Sequence, residues 1–143
     1  MEDTIVVEID IEVPPERVFE AWTDSQQLIA WWGDDAKYHV TSRQDDFRVG
    51  GKWRAETENL DGVRHAVWGE YTRMERPLAL GFTWQHDWEP GAPTHVLIEL
   101  TPTATGTHLR ITHSGFASAA SRDAHRNGWA QVVAWLQRYV SKP

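Results

Sequence analysis

Seven histidines, twenty-one acidic residues and no cysteine bound the chemistry open to this chain of 143 residues. Two histidines stand apart by their spacing. His113 closes the alternation Leu109, Ile111, His113, which puts it on the buried face of a strand, and His125 precedes Trp129 by four residues on one helical stripe. An imidazole partly stripped of water at a helix–sheet interface titrates near neutrality, so the pair would orient a ligand carbonyl or phenol, or move a proton. The alternative for each is a structural histidine that bonds backbone or closes a strand end. Other constellations fail on spacing. No two histidines lie at i, i+3 or i+4 on a helix and no HExxH occurs, which argues against a metal site; without Cys, disulfides, thiolate nucleophiles and Cys-ligated zinc go together. No serine sits in a GxSxG elbow, Ser114 merely preceding a turn glycine, and Gly50-Gly51 opens a strand rather than a helix, so no phosphate loop is present. Glu56, Glu58 and Glu70 fall on neighbouring strands, where a solvated face suits them better than a role as base. None of these readings requires a cofactor, and none singles out a catalytic residue.

The nine tryptophans are the larger signal. Indoles interdigitate less closely than Leu and Val and each carries an N–H that needs a partner, so a core rich in them tends to enclose space. Trp32, Trp53, Trp68, Phe82, Trp84 and Trp129 are the candidate wall of a pocket, with His113 and His125 as its polar groups; plain core packing is the competing reading for each. Trp68 is out of phase with Val67 and Tyr71, so only one of these sets faces inward. Gly128 in mid-helix costs about 1 kcal/mol against Ala, which points to a close approach on that face, by packing or by a ligand. Trp135, off the main stripe, and Trp88, in a Pro-rich loop, are expected to be partly exposed. Exposed indoles mark contact surfaces, here those of a homodimer.

The elements that must position these residues follow from periodicity. Ile5 to Val13 alternates as a strand with one buried face. Pro14-Pro15 stops it and Glu16 opens a short helix with Val18, Phe19 and Trp22 on one face; a second follows from the capping-box pair Asp24 and Gln27, carrying Leu28, Ile29 and Trp32 and ending at Gly33. Strands are predicted at Tyr38 to Arg43, Trp53 to Glu58 and His65 to Met74. Further in-phase runs are Leu78 to Trp84, Val96 to Leu100 and Leu109 to His113, with Trp88, Pro90, Gly91 and Pro93 in a loop between the first two. A helix from Ser118 to Val140, with Trp129, Val132, Val133, Leu136 and Val140 in its stripe, spans roughly 35 Å and crosses the sheet before Lys142-Pro143. Short connections between seven strands make the sheet antiparallel. The predicted class is α+β: a curved antiparallel seven-stranded sheet around a long C-terminal helix, with two short helices after the first strand, as a single domain over residues 1–143.

Composition narrows the partners. Apolar residues at 41% spread along the chain rule against disorder. A net charge of −7, with basic residues occurring singly or beside acids, repels phosphate backbones and anionic lipid surfaces. Neither nucleic acid nor a membrane is an expected partner, and the acidic start MEDTIVVEID lacks a signal or membrane span, which makes a cytoplasmic location the expectation.

Pro14-Pro15-Glu16-Arg17-Val18-Phe19-Glu20-Ala21-Trp22-Thr23-Asp24, Trp31-Trp32, Gly50-Gly51-Lys52-Trp53, Gly69-Glu70-Tyr71, Phe82-Thr83-Trp84, Gly106-Thr107-His108-Leu109, and His125 with Gly128-Trp129 occur in order over nearly the whole chain. In these motifs the chain resembles the bacterial single-domain homologues of the activator of heat-shock-protein ATPase, within the SRPBCC (START-like) superfamily. The resemblance implies a helix-grip fold like that of the birch-pollen allergen, with an internal pocket for apolar or amphipathic small molecules. It does not fix one activity. A carrier of an apolar, aromatic or acyl ligand leads. A cofactor-independent cyclase, dehydratase or hydrolase using the pocket histidines is the alternative. The family's name implies a third reading, a stress-response co-chaperone stimulating a chaperone ATPase. The eukaryotic activator is, however, larger and makes much of its contact through a separate N-terminal domain, whereas this chain starts at the first strand of the homologous domain.

Overall fold

Alternating apolar residues build seven strands and two kinds of helical stripe build three helices, described by a computed structural model over residues 3–33, 37–89 and 91–142. The order is β1 (Thr4–Ile11), α1 (Pro15–Trp22), α2 (Ser25–Trp31), β2 (Tyr38–Asp45), β3 (Lys52–Asn59), β4 (Arg64–Glu75), β5 (Ala79–His86), β6 (Thr94–Pro102), β7 (Thr107–Ser114) and α3 (Ala119–Val140). All pairings are antiparallel in the order β1-β7-β6-β5-β4-β3-β2. Strands β2 to β7 therefore form a meander, and β1 closes onto β7. β1 and β2 hold opposite edges, so α1 and α2 carry the chain across the sheet, and α3 lies against β1, α1 and α2 on the same side. This is the helix-grip arrangement.

The sheet curves where its ladder is interrupted. Register shifts between Val40 and Ser42 in β2 and between Tyr71 and Arg73 in β4 each leave one extra residue, which bends the strand. Between them lies Gly69, opposite Trp53. A Cβ there would come within 1.9 Å of the Thr83 carbonyl oxygen and 2.7 Å of Trp53 Nε1, so only glycine lets the indole lie across the strand.

Local chemistry sets the helix ends. Pro15 stands in the first turn of α1, one residue before the predicted start. At α2 the Asp24 carboxylate accepts from the Gln26 and Gln27 amides at 2.9 and 3.2 Å, and these bonds hold its pKa below the usual carboxylate range. The Gln27 side chain reaches back to the Asp24 carboxylate rather than to its backbone N–H. Gly33 follows at φ +86, where a Cβ would meet the Tyr38 carbonyl at 2.4 Å. Ser118 caps α3 by accepting from the Ser121 amide at 3.1 Å.

Further boundary and burial expectations change. β1 ends at Ile11, and the carbonyl of Val13 instead accepts from Thr107 Oγ1 at 2.8 Å. Leu78 precedes β5 and is exposed. Trp135, predicted to be partly exposed, is 1% exposed. It follows Val132 by three residues and meets Tyr38 edge-on at 5.7 Å, because the start of β2 covers a flank of α3 that the sheet does not. Pro90 of the predicted loop and Pro143 after α3 lie outside the described residues.

Candidate functional site

The interior divides along the sheet. Under β1, β6 and β7 it is aliphatic: Ile5, Ile98, Leu109 and Ile111 are at most 1% exposed. Under β3, β4 and β5 it is aromatic, and there a cavity of about 460 Å³ opens between sheet and helix. Its roof is α3, through Ala124, His125, Gly128, Trp129 and Val132, the i, i+3, i+4 face. Its floor is Thr57 and Asn59 of β3, His65 and Val67 of β4, and Trp84 of β5. Trp32, Lys37 and Tyr38 form one wall, and the half-exposed Trp88 stands opposite at the rim. A Cβ on Gly128 would meet nothing within 4 Å, so this helical glycine faces open volume rather than a packed neighbour.

The predicted wall is thus split. Trp32, Trp84, Trp129 and His125 line the cavity, whereas Trp53 and Phe82 lie behind Trp84, with Trp53 5.6 Å from each ring, around a residual void of only about 10 Å³. Val67 and Tyr71 are buried, so Trp68 points to the other face, where the Arg54 guanidinium sits 5.7 Å above its ring; it borders a second cavity of about 410 Å³ beside the β5–β6 loop. Glu56 and Glu58 take the outer face too, near Arg54 and Arg64. With Trp135 buried, Trp88 alone remains of the two indoles expected to form a contact surface.

The two histidines have different fates. Trp129 Nε1–H donates to His113 Nδ1 at 2.9 Å, which forces the His113 proton onto Nε2, and that atom donates to Thr94 Oγ1 at 2.6 Å; Thr94 passes its own proton to the Trp84 carbonyl at 3.2 Å. Every polar atom of this ring is used. Burial, aided by the neighbouring His125, His86 and His95, pushes its pKa down to about 3, so His113 is a neutral structural link behind the wall. His125 donates from Nδ1 to the Ser121 carbonyl at 2.8 Å, leaving Nε2 as a buried acceptor without a partner. Trp84 Nε1 and His86 Nδ1 are buried and unpartnered beside it, the His86 and His125 ring centres lying 5.2 Å apart. The hydroxyl bonded to His113 is thus Thr94's, already engaged with the Trp84 carbonyl. Among the described residues no group of three or more His, Cys, Asp or Glu is placed to hold a metal ion.

Two features of the site escape sequence reasoning. Trp32 Nε1–H donates to Tyr38 Oη at 3.0 Å across the α2–β2 turn, and burial raises the phenol pKa. Deeper, Asp45 on the edge strand accepts a bidentate Arg43 fork with bonds of 2.9 to 3.1 Å, Tyr71 Oη at 2.7 Å and Ser25 Oγ at 2.7 Å, tying α2, β2 and β4 together. The Arg43 guanidinium also stacks on Trp53 at 5.1 Å, which closes off the region behind the cavity. Arg43 precedes Asp45 by two residues on β2, but Ser25 and Tyr71 come from α2 and β4, so no local spacing reveals the cluster. The only local signal was that Thr57 and Asn59 continue the inward phase of Trp53.

The comparisons agree with the fold. The family model for activator of Hsp90 ATPase homolog 1-like protein matches residues 12–141. A crystal structure from Chromobacterium violaceum is 26% identical, with a TM-score of 0.86 over 99% of both chains. The AHSA1 protein of Silicibacter pomeroyi is 28% identical, with a TM-score of 0.84 over 96% of this chain and 97% of that one. An AHSA1-like protein of Aeromonas hydrophila, solved by NMR, is 25% identical, with a TM-score of 0.80 over 96% and 91%. No curated protein matches the chain. Among the described residues no helix is long and apolar enough to cross a membrane.

Proposed function

Since the chain belongs to the family of activator of Hsp90 ATPase homolog 1-like proteins, whose fold serves ligand-binding or co-chaperone-type domains, we propose that it binds an apolar or aromatic small molecule between the sheet and α3. The observation that carries this reading is the open volume under Gly128, walled by Trp32, Trp84 and Trp129. Flat indole faces supply non-directional affinity, and a volume of about 460 Å³ lies within the range of small-molecule sites. His125, with its bare Nε2, and the Tyr38 hydroxyl are polar groups available to orient a guest.

Tryptophan quenching and thermal shift against a panel of aromatic and fatty ligands test the proposal. Saturable quenching with a rise in Tm is expected, and Gly128→Leu, which puts a side chain into the cavity, should abolish it while the protein stays folded. Absence of any saturable response across the panel refutes the reading. The family relationship favours a second reading, co-chaperone action, and an ATPase assay with the cell's own chaperone in the presence and absence of this protein decides it. An acid–base enzyme relying on His113 is disfavoured, because that ring has no free polar atom.

A further inference from the structure

We propose that the occupant of the main cavity is an aromatic or acyl carboxylic acid, its apolar body between Trp32, Trp84 and Trp129 and its carboxylate at Lys37 and Tyr38; this rests on the cavity-binding reading above. The chain as a whole carries a net charge of −7, yet among the described residues the cavity is lined by no Asp or Glu and by one permanently charged side chain, Lys37. His65, also at the rim, has its Nδ1 3.0 Å from Asp87 Oδ1, and Asp87 itself does not line the main cavity. Among the described lining residues an amine guest would therefore find no carboxylate, while an anion would find a counter-charge in Lys37.

The same wall supplies a hydrogen-bond donor, Tyr38. Tyr38 Oη accepts from Trp32 Nε1–H at 3.0 Å, and its own hydroxyl proton has no acceptor among the described residues. An N–H donating to a hydroxyl polarises it and strengthens the bond that hydroxyl can donate in turn. Burial raises the Tyr38 pKa, which keeps the proton in place at neutral pH. A carboxylate has lone pairs for both the phenol and the ammonium and no proton that must be satisfied. An ester keeps one weaker acceptor and loses the charge. Asp34 and Asp35 precede Lys37 in the chain and lie outside the described residues; no role is assigned to them.

Isothermal titration at pH 7.5 with 2-naphthoate, methyl 2-naphthoate and 2-naphthylmethylamine, which share one ring system, provides the test. The acid is expected to bind at least about tenfold tighter than the ester or the amine, in keeping with one charge-assisted hydrogen bond. Lys37→Met and Tyr38→Phe should each weaken the acid by about tenfold and leave the ester unchanged. Lys37 is exposed, so its variant keeps the fold. Raising salt should weaken the acid alone. Equal affinity for acid and ester, a preference for the amine, or a Lys37→Met variant that binds the acid as before overturns the carboxylate assignment while leaving the cavity reading standing. If none of the three probes saturates the wild-type protein, both fall.

Discussion

The two halves of the interior are covered by the same sheet and the same helix, yet one is solid and the other hollow. Under β1, β6 and β7 the buried side chains are mainly Ile, Leu and Val, with Thr107 and His113 near the ends of β7, and Leu109, Ile111 and Leu136 are at 0% exposure. Under β3 to β5 the rings of Trp32, Trp84 and Trp129 touch one another at centroid distances of 5.7 to 6.4 Å, and a large volume remains beside them. Aliphatic side chains interlock at the scale of a methyl group, whereas indoles are rigid plates whose contacts leave gaps. Their N–H groups add a second constraint. Trp31, Trp32 and Trp129 bond the Ala21 carbonyl, Tyr38 and His113, while Trp22, Trp53 and Trp84 are buried without partners. The solid half is closely packed; the hollow half leaves open volume beside its rings.

Removing and adding atoms should therefore have opposite consequences in the two halves. Leu136→Ala in the solid half is expected to cost about 3 kcal/mol, read as a drop in urea midpoint at constant m; a cost under about 1 kcal/mol would mean that this half is loose too.

Acid should strike at the boundary between the halves, through His113. Its pKa is about 3 when folded and near 6.5 when unfolded, so below pH 6.5 the unfolded chain takes up a proton that the native state refuses. Stability should fall as pH drops from 6.5 towards 3, by about 2 kcal/mol at pH 5 from this group alone. Burial also lowers the His86 pKa, which acts in the same direction; His108, whose pKa Glu8 and Asp10 raise on the outer face, acts in the opposite one. Urea melts from pH 7.5 to 4.5 on wild type and His113→Leu measure the share, and equal slopes would remove His113 from the account.

Enlargement sharpens the contrast. Ala21→Leu, at a position of 0% exposure in α1, should cost about 2 kcal/mol by overpacking. The smallest effect is expected at Gly128. Gly128→Ala meets nothing within 4 Å and replaces a poor helix former, so stability should rise by about 1 kcal/mol in the same melts. A loss at Gly128 would show that the cavity roof is packed in solution.

Period-two and helical patterns were enough to place all ten elements, because each depends on which face of a short segment is apolar. The inward set Val67 and Tyr71 was legible as one of two options in β4, but its choice over Trp68 needed the neighbouring strands. His113 was legible as an inward residue. Its spent hydrogen-bonding capacity was not, since Trp129 and Thr94 come from α3 and β6. Trp135 was misplaced because a helical stripe read alone assumes one covering surface, and α3 has two.

Residue type and local period thus determined the order of strands and helices, the aromatic richness of the interior and the absence of cysteine chemistry, while the helix-grip architecture was implied by the family motifs. Tertiary structure alone decided which rings border open space, that Lys37 and Tyr38 stand at its rim, and that Asp45 is buried on an edge strand among partners from three elements. A cavity is the residue of many long-range packing mismatches, and no short segment records that sum.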